Sequence, residues 1–295
     1  MAEKLAIHGG NPVRTRPWPH WPEFGEAERE ALRRVLESHN WGGHPSTNVE
    51  ARELSREFAT YVGSTHAVPT LNGTISLTLA LQAARLSPGA EVITTAYTFV
   101  ATASAIVAAG CVPVFVDVLP DTYCMDPDQV AAAVGSRTEA IMPVHLACSM
   151  ADMDRLGELA QRRGLLLVED CAHAHGARWR GKGAGSIGDF GSFSMQSTKL
   201  LTAGEGGIVT TSDDTYEQRG RAVLAEDASA VVGGAVARDG IARDHQRGIG
   251  AVDAPSARVT VVAGDRVPTN RGGGAVLACD AAPGPVGWRG VAEDR

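Results

Sequence analysis

The chain has 295 residues, 44% of them apolar and 21% charged, which is enough to bury the core of one large domain or two small ones and argues against disorder throughout. Its 27 Lys and Arg against 34 Asp and Glu leave a formal charge of −7, which argues against a nucleic-acid partner held by phosphate contacts. Two skews lie inside these totals. Lysine is confined to Lys4, Lys182 and Lys199, and from Val223 onward Ala, Gly, Val, Arg and Asp dominate, with Leu224, Leu277 and Trp288 among the few large apolar side chains.

Taken in chain order, Pro17, Pro19 and Pro22, interleaved with Trp18 and Trp21, make an extended entry segment. Helical spacing of apolar residues then predicts helices over Glu26 to His39 and Asn48 to Val62. From His66 a strand, loop, helix alternation sets in. HAVPT, EVITT, VPVFVDV, AIMPVH and LLLVED read as strands, separated by helices over Ile75 to Leu86, Ala101 to Ala109, Pro127 to Val134 and Met153 to Arg163. Short, continuously apolar strands alternating with helices predict an α/β fold, its mainly parallel sheet covered on both faces. Beyond Asp170 a hairpin is expected over Ala177 to Gly185, then strands in DFGSFSM and GIVTT and a helix starting near Asp214. Past Val223 the only signal is a weak strand around Val259 to Val262, so composition divides the chain into 1–222 and 223–295.

Cys111, Cys124, Cys148, Cys171 and Cys279 are odd in number and show no two-residue spacing of a zinc or redox motif, which reads as reduced thiols in a cytoplasmic protein. The N-terminus lacks the apolar region of a signal peptide, and no apolar span of about 18 residues occurs, so no membrane partner is expected.

Ligands of open parallel sheets bind beyond the carboxyl ends of the strands, so polar residues just past each strand are the candidates. Asn72, Gly73 and Thr74 lie where a strand gives way to a helix, a setting that suits a phosphate and equally a plain capped turn. Phe99 is either a core aromatic or a stacking ring. Asp170 ends an apolar run, where a carboxylate needs a partner, as a site residue or as a cap. His173 and His175 lack a clear third ligand, so no metal is expected. Lys199 is the sharpest case. In QSTKLLTAGEGG, five residues after Ser194, it sits among hydroxyl and apolar neighbours that disfavour its ammonium form, as an imine-forming amine requires; the alternative is a solvated surface lysine.

The ordered set of LNGT, AYTFVATASAIV, PVFVDVLPDTYCMDP, IMPVHLACSMADMD, LVEDCAHAHGARWRGKGAGSIGDFGSFSM and QSTKLLTAGEGGIVTT resembles the DegT/DnrJ/StrS family of pyridoxal-phosphate sugar and cyclitol aminotransferases, from about Gly9 to Ala222. Within that family the arm, EDCAHAHGA and the lysine segment look most like glutamine-dependent enzymes acting on scyllo-inosose-type keto-cyclitols, with the 3-amino-5-hydroxybenzoate synthases close behind. The resemblance implies the large domain of the fold type I (aspartate aminotransferase-like) enzymes. It implies pyridoxal 5'-phosphate held by Lys199 through a Schiff base, Asp170 at the pyridinium nitrogen, and Phe99 against the ring. Gly73, Thr74 and Ser194 would hold the phosphate, and His173 would lie near the phenolic oxygen. Lys199 and Asp170 would then be the catalytic pair. The implied partners are glutamine or glutamate as donor, a keto-sugar or keto-cyclitol as acceptor, and a second copy of the chain in a homodimer.

Family members continue beyond the lysine region with a small closing domain that is not recognisable after Ala222. The composition there is what an out-of-frame reading of a GC-rich gene gives, so a frameshifted or truncated end is expected, with a diverged terminal domain as the alternative. The segment NWGGHPSTN is shorter than the family's usual substrate loop. A non-catalytic remnant is the competing function, and a nicotinamide-binding Rossmann enzyme is disfavoured because no G-x-G-x-x-G follows the first strand.

Overall fold

The computed structural model describes residues 4–41 and 48–224. The expectations for the tail from 225 onward, for most of the NWGGHPSTN segment and for Cys279 fall outside the described residues. The helices are α1 (Glu26–Ser38), α2 (Val49–Val62), α3 (Gly73–Ala84), α4 (Val100–Ala108), α5 (Pro127–Ala133), α6 (Met153–Arg163) and α7 over 214–224. The strands are β1 (His66–Thr70), β2 (Glu91–Thr95), β3 (Val112–Val116), β4 (Thr138–Met142), β5 (Leu166–Asp170), β6 (Arg178–Trp179), β7 (Lys182–Gly183), β8 (Phe190–Ser194) and β9 (Gly207–Thr211).

Local chemistry sets most of these limits. The Asn72 side chain accepts from Ile75 N at 2.9 Å and starts α3 two residues earlier than periodicity alone suggests. Asp126 caps α5 with Pro127 in its first turn, and Asp152 caps α6, which Gly164 ends in the left-handed region. The strand expected in AIMPVH stops at Met142, since Pro143 offers no N–H to the ladder. Val144 then pairs with Asp170 only as an isolated bridge.

Seven strands form one sheet in the order β1-β9-β8-β5-β4-β2-β3; β6 and β7 make the expected hairpin by themselves. The ladders from β8 through β5, β4 and β2 to β3 are parallel, and β9 runs antiparallel to both β8 and β1. Successive residues face opposite helical layers. Val168, Ala140 and Met142 pack in the cluster with α3 and α4, whereas Leu167 and Ile141 pack in the cluster with α5 and α6. A third cluster joins Phe58, Ala59 and Val62 of α2 to Phe193 and Ile208. Helix α7 runs through the compositional boundary at 222, and Val223 and Leu224 pack against the first cluster because their helical phase still faces the sheet.

The chain steps outward from β2 to β3 and returns on the other side of β2 as β4. That reversal opens a crevice at the carboxyl ends of the strands. No helix among the described residues is long and apolar enough to cross a membrane. Cys111, Cys124, Cys148 and Cys171 form no disulfide.

Candidate functional site

A cavity of about 590 Å³ opens at those carboxyl ends, within the size range of small-molecule and cofactor sites. Its walls include Gly73, Thr74, Phe99, Asp170, His173, Ser194 and Lys199, so the seven residues that the resemblance assigns to the cofactor stand on one cavity. The sheet order is what gathers them. Asp170 ends β5, Ser194 ends the neighbouring β8, and Lys199 sits in the connection from β8 to β9. Because β9 lies between β8 and β1, the same edge carries the turn from β1 into α3.

That turn is built as an anion cradle. Ile75 N is satisfied by the Asn72 side chain and Ser76 N by the Asn72 carbonyl, which leaves the Gly73 and Thr74 amides without an acceptor among the described residues. A Cβ on Gly73 would stand 2.7 Å from Ser194 Cβ, so glycine alone lets the helix start and the Ser194 hydroxyl share one small space. Beneath it, the buried Ser76 hydroxyl bonds to Ser192 Oγ and donates to the Gly73 carbonyl at 2.8 Å, tying α3 to β8.

Asp170 is 4% exposed, and its two oxygens accept from Thr102 Oγ1 at 2.8 Å and Ala172 N at 3.1 Å. Burial lowers the Lys199 ammonium below the usual lysine range, and the Asp170 charge only partly opposes this. Burial likewise lowers His173, with Lys199 adding to the effect and Asp170 opposing it. Phe99 is the N-cap residue of α4 and is 71% exposed at the mouth. Trp21 of the entry segment donates from Nε1 to the Ser197 carbonyl at 3.1 Å, which anchors the loop carrying the lysine.

His175 does not line the cavity. It lies buried with its ring 5.5 Å from that of Phe193, and neither ring nitrogen makes a directed hydrogen bond. Burial pushes its imidazole down to about 4, the Ser194 backbone pulling weakly the other way. A different trio of potential metal donors, His145, Glu169 and Cys171, lies close together and fully buried. Its carboxylate is already saturated: Oε2 accepts from His145 Nε2 and Gly185 N, each at 3.0 Å, and Oε1 from Ile187 N and Gly188 N, each at 2.8 Å. The Nδ1 of His145 accepts from Ala151 N, which fixes the proton on Nε2. Glu169 and His145 form a hydrogen-bonded clamp that ties the 185–188 segment to β5.

Sequence reasoning passed over Thr98, Thr102 and Glu205, which also line the cavity. Thr98 and Thr102 are four residues apart in the motif that contains Phe99, a spacing that puts both on one side of a helix start.

The profile of the DegT/DnrJ/EryC1/StrS aminotransferase family matches residues 22–234. The chain belongs to that family. It is 47% identical over 222 residues to the L-glutamine:2-deoxy-scyllo-inosose aminotransferase of Streptomyces lividus, an alignment covering 74% of this chain and 52% of the relative. Among solved structures it resembles 3-amino-5-hydroxybenzoic acid synthase, with 45% identity and a TM-score of 0.64 over 69% of this chain and 53% of that one. It also resembles Spr1654 of Streptococcus pneumoniae in its PLP form, with 33% identity and a TM-score of 0.61 over 66% of this chain and 53% of that one. The chain thus spans about half the length of the curated relatives it matches. The fold is that of the large domain of PLP fold type I aminotransferases, and pyridoxal 5'-phosphate is the cofactor of the family. The residues fit it: the cradle at Gly73, which a Cβ would fill, has the free amides and the space that suit a phosphate, and an amine and a carboxylate face the same cavity.

Proposed function

We propose that this chain is the cofactor-binding part of a pyridoxal-phosphate aminotransferase that moves an amino group from L-glutamine or L-glutamate to a keto-sugar or keto-cyclitol in aminoglycoside or aminosugar biosynthesis. The observation that carries this reading is the convergence of Lys199, Asp170 and the Gly73 cradle on one cavity. Bound there, pyridoxal phosphate supplies an aldehyde that condenses with amines and a ring that takes up electrons from the carbon losing its proton.

The chain's own groups do the rest. The Gly73 and Thr74 amides and the Ser194 hydroxyl bind the phosphate dianion at the positive end of α3. Phe99 would lie against the ring face, and Asp170 would hold a proton on the ring nitrogen. Partial burial lowers the Lys199 ammonium, so its Nζ would serve first as a nucleophile and then as the base that takes the proton from the donor carbon. His173, whose charging burial disfavours, is a neutral neighbour for the phenolic oxygen.

Leu71, Phe99 and Val100 stand 78%, 71% and 69% exposed around the mouth, which supports a second copy of the chain covering it in a homodimer. The 45% identity to 3-amino-5-hydroxybenzoic acid synthase favours a second reading, in which the acceptor is the precursor of an aminohydroxybenzoate.

Borohydride reduction of the 295-residue chain loaded with pyridoxal phosphate, followed by peptide mapping, tests the site. Label on Lys199 supports it; label on Lys4 or Lys182, or none, sinks it. Turnover of glutamine with a keto-cyclitol, compared with an aminohydroxybenzoate precursor, separates the two readings, and binding without turnover of either returns the chain to a non-catalytic remnant.

A further inference from the structure

Thr102 stands in the first turn of α4, 1% exposed, with its hydroxyl 2.8 Å from Asp170 Oδ2. A carboxylate has no proton to give, so Thr102 donates. The same oxygen is 2.8 Å from Thr98 Oγ1, and with its own proton committed to Asp170 it can only accept there. The chain of donors therefore runs one way, from Thr98 through Thr102 to Asp170. The Asp170 charge raises the basicity of Lys199 and His173, but neither bonds to its carboxylate. Thr102 and Ala172 are the bonded partners of the Asp170 carboxylate among the described residues, and only Thr102 brings a side chain to it from outside the β5 segment.

We propose that Thr102, backed by Thr98, is a positioning residue for the cofactor's ring nitrogen. Its bond fixes the plane of the Asp170 carboxylate and shares the cost of keeping that charge buried, so Asp170 meets the ring nitrogen as an oriented anion. The proposal rests on the reading of Asp170 given above. Without the hydroxyl the carboxylate keeps its place in β5 but loses both its orientation and half of its bonded support.

The test is equilibrium binding of two probes to the 295-residue chain: pyridoxal phosphate, and its analogue with C–H in place of the ring nitrogen. Both carry the aldehyde and the phosphate, so their affinity ratio isolates the ring nitrogen. Thr102→Val, which keeps the shape, is expected to lower the preference for pyridoxal phosphate about tenfold, the effect of one hydrogen bond to a charged group. Affinity for the analogue should stay within about twofold of the unaltered chain, a difference too small for a lost hydrogen bond. Thr102→Ser should keep the preference. Should Thr102→Val not fold, Thr98→Val carries the test and must lower the same ratio by about threefold, as loss of the weaker outer bond would.

An unchanged ratio in the threonine variants alongside a ratio abolished by Asp170→Asn overturns the proposal alone. A Thr102→Val that weakens both probes equally also overturns it, as a packing defect would. A ratio untouched by Asp170→Asn overturns the Asp170 reading and the proposal with it.

Discussion

Replacing Glu169 with glutamine keeps the volume of a fully buried side chain and exchanges one acceptor oxygen for an NH2. Each carboxylate oxygen now accepts two hydrogen bonds, so either placement of the NH2 confronts two donors. On the Oε1 side it faces the Ile187 and Gly188 amides, which have no alternative. On the Oε2 side His145 could change tautomer, but its Nδ1 proton would then oppose the Ala151 N–H that it now accepts, and Gly185 N would still be orphaned. An orphaned buried donor costs about 1–3 kcal/mol, and the two bonds that survive lose their charge assistance. Relief from burying a charge offsets part of this. The expected loss is about 3 kcal/mol, read as a lowered midpoint at unchanged slope in urea unfolding. A loss below about 1 kcal/mol would show that Glu169 is not the clamp described, because a single unpaired amide already costs that much.

Gly73→Ala should weaken pyridoxal phosphate binding by roughly tenfold or more, the effect of forcing a methyl group against a packed neighbour, while unphosphorylated pyridoxal binds as before. Equal weakening of both would place the phosphate elsewhere. His175 has a folded-state pKa of about 4, below its unfolded value near 6.5, so the unfolded chain binds more protons between these limits. Its stabilising contribution is therefore complete above about 6.5 and lost as pH falls toward 4, on the order of 3 kcal/mol. Unfolding free energies measured over that range should flatten in His175→Phe; an unaltered pH slope would refute the assignment. Trp21→Phe removes the bond to the Ser197 carbonyl and should quicken proteolytic cleavage in the 196–206 connection while leaving the core intact, as circular dichroism would report.

Most of the secondary structure was legible because its causes are local. The strands are short apolar runs and the helix ends carry their own caps at Asn72, Asp126 and Asp152, so the ends differ by three residues at most, as where Pro143 cuts β4 short. The candidate residues were legible for a related reason: polar groups placed just after apolar strands stand out. Thr98 and Thr102 did not, since a threonine near a helix start has many local uses and only its long-range partner at Asp170 marks it. Glu169 was hidden inside its strand, although it makes four bonds to two other segments, His145 and the 185–188 turn.

The sequence by itself determined the order of strands and helices, the family, and Lys199 as a lysine in a partly apolar loop of a chain that uses arginine almost everywhere else. Only the tertiary structure decided what that lysine faces. Periodicity records which side of an element is buried, but not which strand lies beside it. The insertion of β9, antiparallel, between β8 and β1 brings the Lys199 loop, the Asp170 carboxylate and the start of α3 to one edge of the sheet. The same packing lowers the basicity of Lys199, because burial taxes its charge more than Asp170 rewards it. The local sequence already marks Lys199 as a candidate nucleophile; the sheet order, which no run of neighbouring residues encodes, sets it beside Asp170 and the α3 cradle.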